Sequence, residues 1–177
     1  MLSETLNRAL SEQVNAEYYS AYLYQAMSAY ADRAGFKGIA NWLSIQAKEE
    51  MAHGVRIYEH ILERGGSPSF NDIKAPPSSY NSVREVFEKV LAHEISVTAR
   101  INQIASLSVQ ENDHAAYNFI LWYVKEQVEE EKNAKDIIAK IAIMGDNTGL
   151  IYHLDMELAG RTFTDPFPVE AADTTAG

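Results

Sequence analysis

Cysteine is absent from this chain, which excludes disulfides, thiolate clusters, zinc ribbons and rubredoxin-type iron sites. Basic residues are few: 15 Lys and Arg stand against 25 Asp and Glu, a formal charge of −10. Nucleic acid and anionic lipid both select basic surfaces, so neither is expected as a partner; a negative protein instead draws in cations. No uncharged apolar run approaches the roughly 20 residues that a membrane span requires. The opening Met1-Leu2-Ser3-Glu4-Thr5 lacks the basic and apolar regions of a secretory signal. With no thiols, span or leader, the expected location is the cytoplasm. Proline is sparse, and three of the five prolines fall within residues 67–81.

What remains is long, helical and patterned. Apolar residues at steps of three and four form one buried stripe in each of four segments. The first runs Leu6, Leu10, Val14, Glu17, Ala21, Tyr24, Ser28, and the second Ile39, Leu43, Gln46, Glu50, His53, Ile57, Ile61. The third runs Val83, Phe87, Val90, Glu94, Val97, Ile101, Ile104, and the fourth Ile120, Tyr123, Gln127, Glu130, Ala134, Ile137, Ile141, Met144. Each stripe turns polar near its middle. A buried ionised carboxylate is costly unless paired or metal-bound, and no Lys or Arg lies on these stripes. The pattern asks for a cation. A polar network that only holds helix register would need balancing cations or shared protons as well.

Punctuation sets the helix limits at about 3–34, 39–64, 82–111 and 114–144, with a short amphipathic stretch at about 148–160. Gly35 and Gly65-Gly66 close the first two helices, and Ser82-Val83-Arg84-Glu85 opens the third as a capping box. Helices of this size are roughly 40–48 Å long, and the 67–81 connection can reach roughly 50 Å, enough to run back along them. The expected fold is therefore all-α: a four-helix bundle with one long crossover between helices two and three, plus a short fifth helix. Residues 1–164 form that domain, and 165–177 read as a disordered tail.

Depth along the helices tests whether the polar residues meet. Glu94 lies 18 residues before Asn112 and Glu130 lies 17 after Asp113, so the two are level. Glu17 lies 17 before Ala34, against 11 and 14 after Ile39 for Glu50 and His53, a looser match. One layer follows. Oxygen ligands with one imidazole suit iron or manganese, and four carboxylates match two divalent ions. Glu50 is placed to bridge, with Glu17 and His53 on one ion and Glu94 and Glu130 on the other; Gln127 is the weakest ligand. The Glu50-x-x-His53 spacing alone is weak evidence, because Glu111-x-x-His114 repeats it at a helix junction. His60, His93 and His153 are expected to be exposed or locally satisfied.

These residues resemble the ferritin family, and within it the haem-free prokaryotic ferritins. The likeness lies in N-A-E-Y-Y-S-A-Y-L-Y (15–24), E-E-M-A-H (49–53), H-E (93–94) and N-F-I-L-W-Y-V-K-E-Q-V-E-E-E (118–131), and covers roughly 1–164. Ferritin-like di-iron bundles are themselves the type case of intra-bundle carboxylate sites. The resemblance implies a ferroxidase centre of Glu17, Glu50, His53, Glu94, Gln127 and Glu130 that oxidises Fe(II) with dioxygen or hydrogen peroxide. It also implies a homo-oligomeric cage of 24 subunits that stores Fe(III) as mineral. Glu49, Glu126 and Glu129, with Glu130 shared, match a third iron site; Tyr24 and Trp122 match aromatics beside the centre. The fifth helix would line a four-fold channel.

Two departures qualify the likeness. The haem-containing branch shares Met51 but carries a second Glu-x-x-His where this chain reads Gln127-Val128-Glu129-Glu130, so no haem is expected. Tyr117, Asn118, Phe119 and Ile120 stand where animal ferritins place acids at a three-fold channel. Two competing readings are a DNA-protecting mini-ferritin, opposed by the acidic tail and intra-bundle ligands, and a di-iron oxygenase acting on an organic substrate.

Overall fold

The computed structural model describes residues 1–145 and 148–167. Among them five helices supply the regular structure: α1 (Glu4–Arg33), α2 (Lys37–Glu63), α3 (Val83–Gln110), α4 (His114–Met144) and α5 (Thr148–Leu158). None is long and apolar enough to cross a membrane. Local chemistry marks the ends. Ser3, Ser82 and Asp113 each accept a bond from a first-turn amide, those of Leu6, Glu85 and Ala116. The capping box at Ser82 is displaced by one residue, because Glu85 accepts from the Asn81 amide rather than that of Ser82. Gly35 and Gly65 take φ of +91° and +71°, the left-handed values that let the chain turn out of α1 and α2.

Cross-helix contacts fix the directions. Residues 2 and 64, 17 and 50, and 28 and 40 meet between α1 and α2, so that pair is antiparallel. Arg64 with Asp113, His60 with Phe119 and Gln46 with Glu130 run α2 against α4. Thr98 with Glu131 and Arg84 with Ile141 run α3 against α4. Helices α2 and α3 are each antiparallel to α4 and hence parallel to each other, as the long crossover requires. That crossover is tied to α1 by residues spaced four apart. Asn7 bonds both the carbonyl and the amide of Ser67, Ser11 accepts from the Ser69 amide, and Asn15 bonds Ser69 and Asn71.

The apolar core is split in two. One cluster gathers Tyr24, Leu43, Phe87 and Ile141 with Leu154 and Leu158 of α5; the other gathers Leu10, Val14, Ile57, Ile101 and Ile120. The polar layer lies between them. Helix α5 docks on the start of α2, where Phe36 offers no side-chain cap. Asp155 of α5 supplies it, accepting from the Ile39 amide at 2.8 Å. The approach requires Gly38, since a Cβ there would stand 1.7 Å from the Asp155 carbonyl oxygen.

Asp155→Ala should therefore cost about 1 kcal/mol, the usual worth of a cap. Gly38→Ala should lift α5 off the bundle. Limited proteolysis near residue 145, with far-UV circular dichroism retained, would register the release; a Gly38→Ala chain as resistant as the native one would contradict this docking.

Candidate metal centre

Glu17, Glu50, His53, Glu94, Gln127 and Glu130 are all buried, none more than 6% exposed, and no Lys or Arg is buried with them among the described residues. One ligand atom each from Glu17, Glu50 and His53 lies within 4.8 Å of the others. His53 Nδ1 stands 3.8 Å from Glu50 Oε2, while His53 Nε2 and Glu17 Oε2 have no protein partner. Such orphaned buried atoms are rare unless a ligand completes them. Glu94 is held from two sides: the Tyr24 hydroxyl donates to Oε1, and the Gln127 amide donates to Oε2 at 3.1 Å. The same Gln127 nitrogen also reaches the Glu94 carbonyl and Thr98.

Electrostatics point the same way. Burial pushes Glu17 and Glu50 well above the usual carboxylate range, and the charges of Glu50 on the first and Glu94 on the second push further. Burial also raises Glu94, against hydrogen bonds from Tyr24 and Gln127. Glu130 is pushed up to about 8, by burial and then by Glu94 and Glu49. Without a cation, Glu17 and Glu50 can share a proton; with both ionised, Glu17 Oε2 has no donor. Two divalent cations would satisfy all four carboxylates, and the donor set fits iron or manganese.

The expected outer site is less assembled. Among the described residues no other three acids or histidines bring ligand atoms as close as the first group does. Glu49 is taken by Arg161, whose Nη2 lies 2.6 Å from its Oε2. Glu126 is half-buried and Glu129 exposed. Burial raises both Glu49 and Glu126, opposed by Arg161 at the first and by His53 at the second. Glu111 falls at the α3–α4 junction and accepts from Ser3. His93 bonds Ser20, and His153 is exposed. His60 departs from expectation: it is buried, stacks on Phe119 at 3.8 Å, and leaves Nε2 without a partner.

Four supporting residues were not anticipated. Gln13 donates to Glu17 and Gln46 to Glu130, each at 2.8 Å. Both were findable: Gln13 sits one helical turn before Glu17, and Gln46 is a polar break in the buried stripe of α2. Arg161 and Phe167 carried no such signal. The expected disordered tail begins differently, for Phe167 packs on Trp122 at 4.4 Å and on His53 at 6.1 Å. An aromatic ring gains by covering that apolar wall. Residues 168–177 of the expected tail lie outside the described residues.

Comparison with known proteins places the whole fold in a family. Residues 7–144 match the model of the ferritin-like domain. The bacterial non-heme ferritin of Staphylococcus epidermidis is 41% identical over 93% of this chain and 99% of its own; that of Staphylococcus aureus is 38% identical over the same shares. A closed form of the Archaeoglobus fulgidus ferritin, engineered by site-directed mutagenesis, superposes with a TM-score of 0.91 at 43% identity, covering 93% of this chain and 100% of that one. The open-pore ferritin of the same archaeon gives 0.90 at 42% identity, covering 92% and 100%.

The raised carboxylates set a pH dependence. Glu130 titrates at about 8 when folded without metal, against about 4.3 when unfolded. Between these values the folded chain holds more protons, so its stability falls as pH rises. The metal-free protein should melt lower at about pH 8.5 than at about pH 6, Glu130→Gln should flatten that slope, and Mn(II) should restore the loss. A metal-free melting temperature that climbs over this range would contradict the reading.

Proposed function

The chain belongs to the ferritin family, and on that premise we propose that it stores iron, oxidising Fe(II) at the buried carboxylate layer and holding Fe(III) as mineral within a 24-subunit cage. The observation that carries this reading is the layer itself: four glutamates and one histidine out of water, two of their atoms orphaned, and no cationic side chain among them. Residues 1–164 are the working unit, in the cytoplasm.

Iron is here the substrate. Glu17 and His53 would receive one Fe(II), Glu94 and Glu130 the other, with Glu50 between them. Two Fe(II) give up two electrons, which with two protons convert dioxygen to hydrogen peroxide, or hydrogen peroxide to two waters. Holding both reductants beside one oxidant makes the two-electron step possible. Tyr24 and Gln127 keep the Glu94 carboxylate in place while charge at the centre changes. Gln127 is neutral, so the second iron is held less tightly and can leave for the mineral. A resident cofactor would instead need a closed ligand set.

Glu50→Ala and His53→Ala should each slow rapid Fe(II) oxidation by about a hundredfold, with circular dichroism unchanged; native rates in both would refute the ferroxidase assignment. Native mass spectrometry after ferrous loading tests storage. A heavy shell of 24 chains is expected, whereas a dimer retaining two irons per chain would redirect the function to oxygenase chemistry.

A further inference from the structure

Beyond Leu158 the chain turns back along α2 as a strap. Asn41 Nδ2 donates to the Ala159 carbonyl at 3.3 Å and to that of Arg161 at 2.9 Å. The Arg161 guanidinium lies over Trp42, 4.9 Å from the ring centroid. From there its two arms divide: Nη2 reaches Glu49 at 2.6 Å, and Nη1 donates to Gln46 Oε1. Gln46 is fully buried, and its amide nitrogen donates to Glu130 Oε2 at 2.8 Å. One cation on the strap thus touches both an acid of the expected outer site and, through one amide, a ligand of the dinuclear centre.

We propose that Arg161 is a positioning residue for the dinuclear centre and an internal counter-cation that holds Glu49 until an incoming metal ion displaces it. The inference rests on the dinuclear reading given above. A guanidinium carries donors and no acceptor. Gln46 therefore turns its carbonyl to Arg161, and its amide nitrogen is the group left to face Glu130. Reversed, the amide would set two acceptors against each other at Glu130. Arg161 in this way selects the amide orientation that fixes the Glu130 carboxylate.

The other arm acts by charge. With Arg161 in place, Glu49 is already paired, and a divalent ion approaching Glu49 and Glu126 meets a positive group. Around Arg161 the strap is held by exchangeable contacts, two hydrogen bonds from Asn41 and the stack on Trp42, while Phe167 anchors it further on; the Arg161 side chain is 24% exposed. Metal at Glu49 and the guanidinium grip on Gln46 exclude one another, so filling the outer acids loosens the support of Glu130. An ion would leave the dinuclear centre more readily once another waits outside.

Co(II) titration of the metal-free, full-length assembly tests this, read by calorimetry and by the ligand-field absorption of the bound ion. The native protein should take two tight equivalents per chain and a weak third. Arg161→Gln should tighten the third about tenfold, and adding Glu49→Gln should remove that gain. Arg161→Lys, which keeps the charge but loses the fork, should leave the third weak while shifting the absorption of the first two through Gln46 and Glu130. A third equivalent unchanged in Arg161→Gln, or first-pair spectra unchanged in Arg161→Lys, would overturn the proposal while leaving the dinuclear reading intact. Failure of the native chain to bind two tight equivalents would refute that reading instead.

Discussion

Four carboxylates held out of water in one layer, with no Lys or Arg buried beside them among the described residues, constrain the rest of this molecule. Taking an ionised carboxylate into a protein interior costs several kcal/mol unless something compensates it. Here compensation is partial and one-sided. Gln13, Gln46, Tyr24 and Gln127 each donate to a glutamate oxygen, yet atoms of Glu17 and His53 stay unpartnered. Hydrogen bonds aim the carboxylates; they do not cancel their charge. The layer is left short of positive charge, and the proposed function follows from that shortage.

A layer of this kind interrupts the hydrophobic core, and the fold accommodates the interruption. Apolar clusters above and below hold the helices together, so the polar middle can be under-satisfied without the bundle depending on it. The crossover is pinned along α1 by Asn7, Ser11 and Asn15, which keeps α2 and α3 parallel and brings four helices to one depth. Helix α5 contributes at a distance. By capping α2 through Asp155 it sets where the chain emerges, and so where Arg161 and Phe167 come to lie over the centre.

Much of this was legible in the sequence because the signals are local and periodic. A glutamate that falls where the 3.6-residue repeat demands an apolar residue announces its own burial, and Glu94 and Glu130 at matched depth, with Glu17 and Glu50 more loosely so, announce a meeting. Helix ends were legible for the same reason, since Gly35, Gly65 and Ser82 act on their own neighbours. Where the sequence was silent, longer-range packing decided. The family resemblance implies a third site at Glu49, Glu126 and Glu129; in the fold Arg161 pairs with Glu49, and Glu129 is exposed. His60 is covered by Phe119, a partner some sixty residues away. The tail reads as disordered by composition, yet Phe167 finds an aromatic wall that no local pattern could foretell.

The sequence by itself determined the class of fold, the long crossover, and the polar layer with its uncompensated carboxylates, because periodicity, capping and buried charge are properties of each segment alone. Tertiary structure decided which oxygens of the glutamates are occupied, which cation pairs with Glu49, and how the chain beyond α5 reaches back to the centre. Several of those outcomes depend on contacts between residues 84 and more positions apart, such as Gln46 with Glu130, Glu49 with Arg161 and Ile39 with Asp155. Only the packed bundle brings such pairs within hydrogen-bonding range.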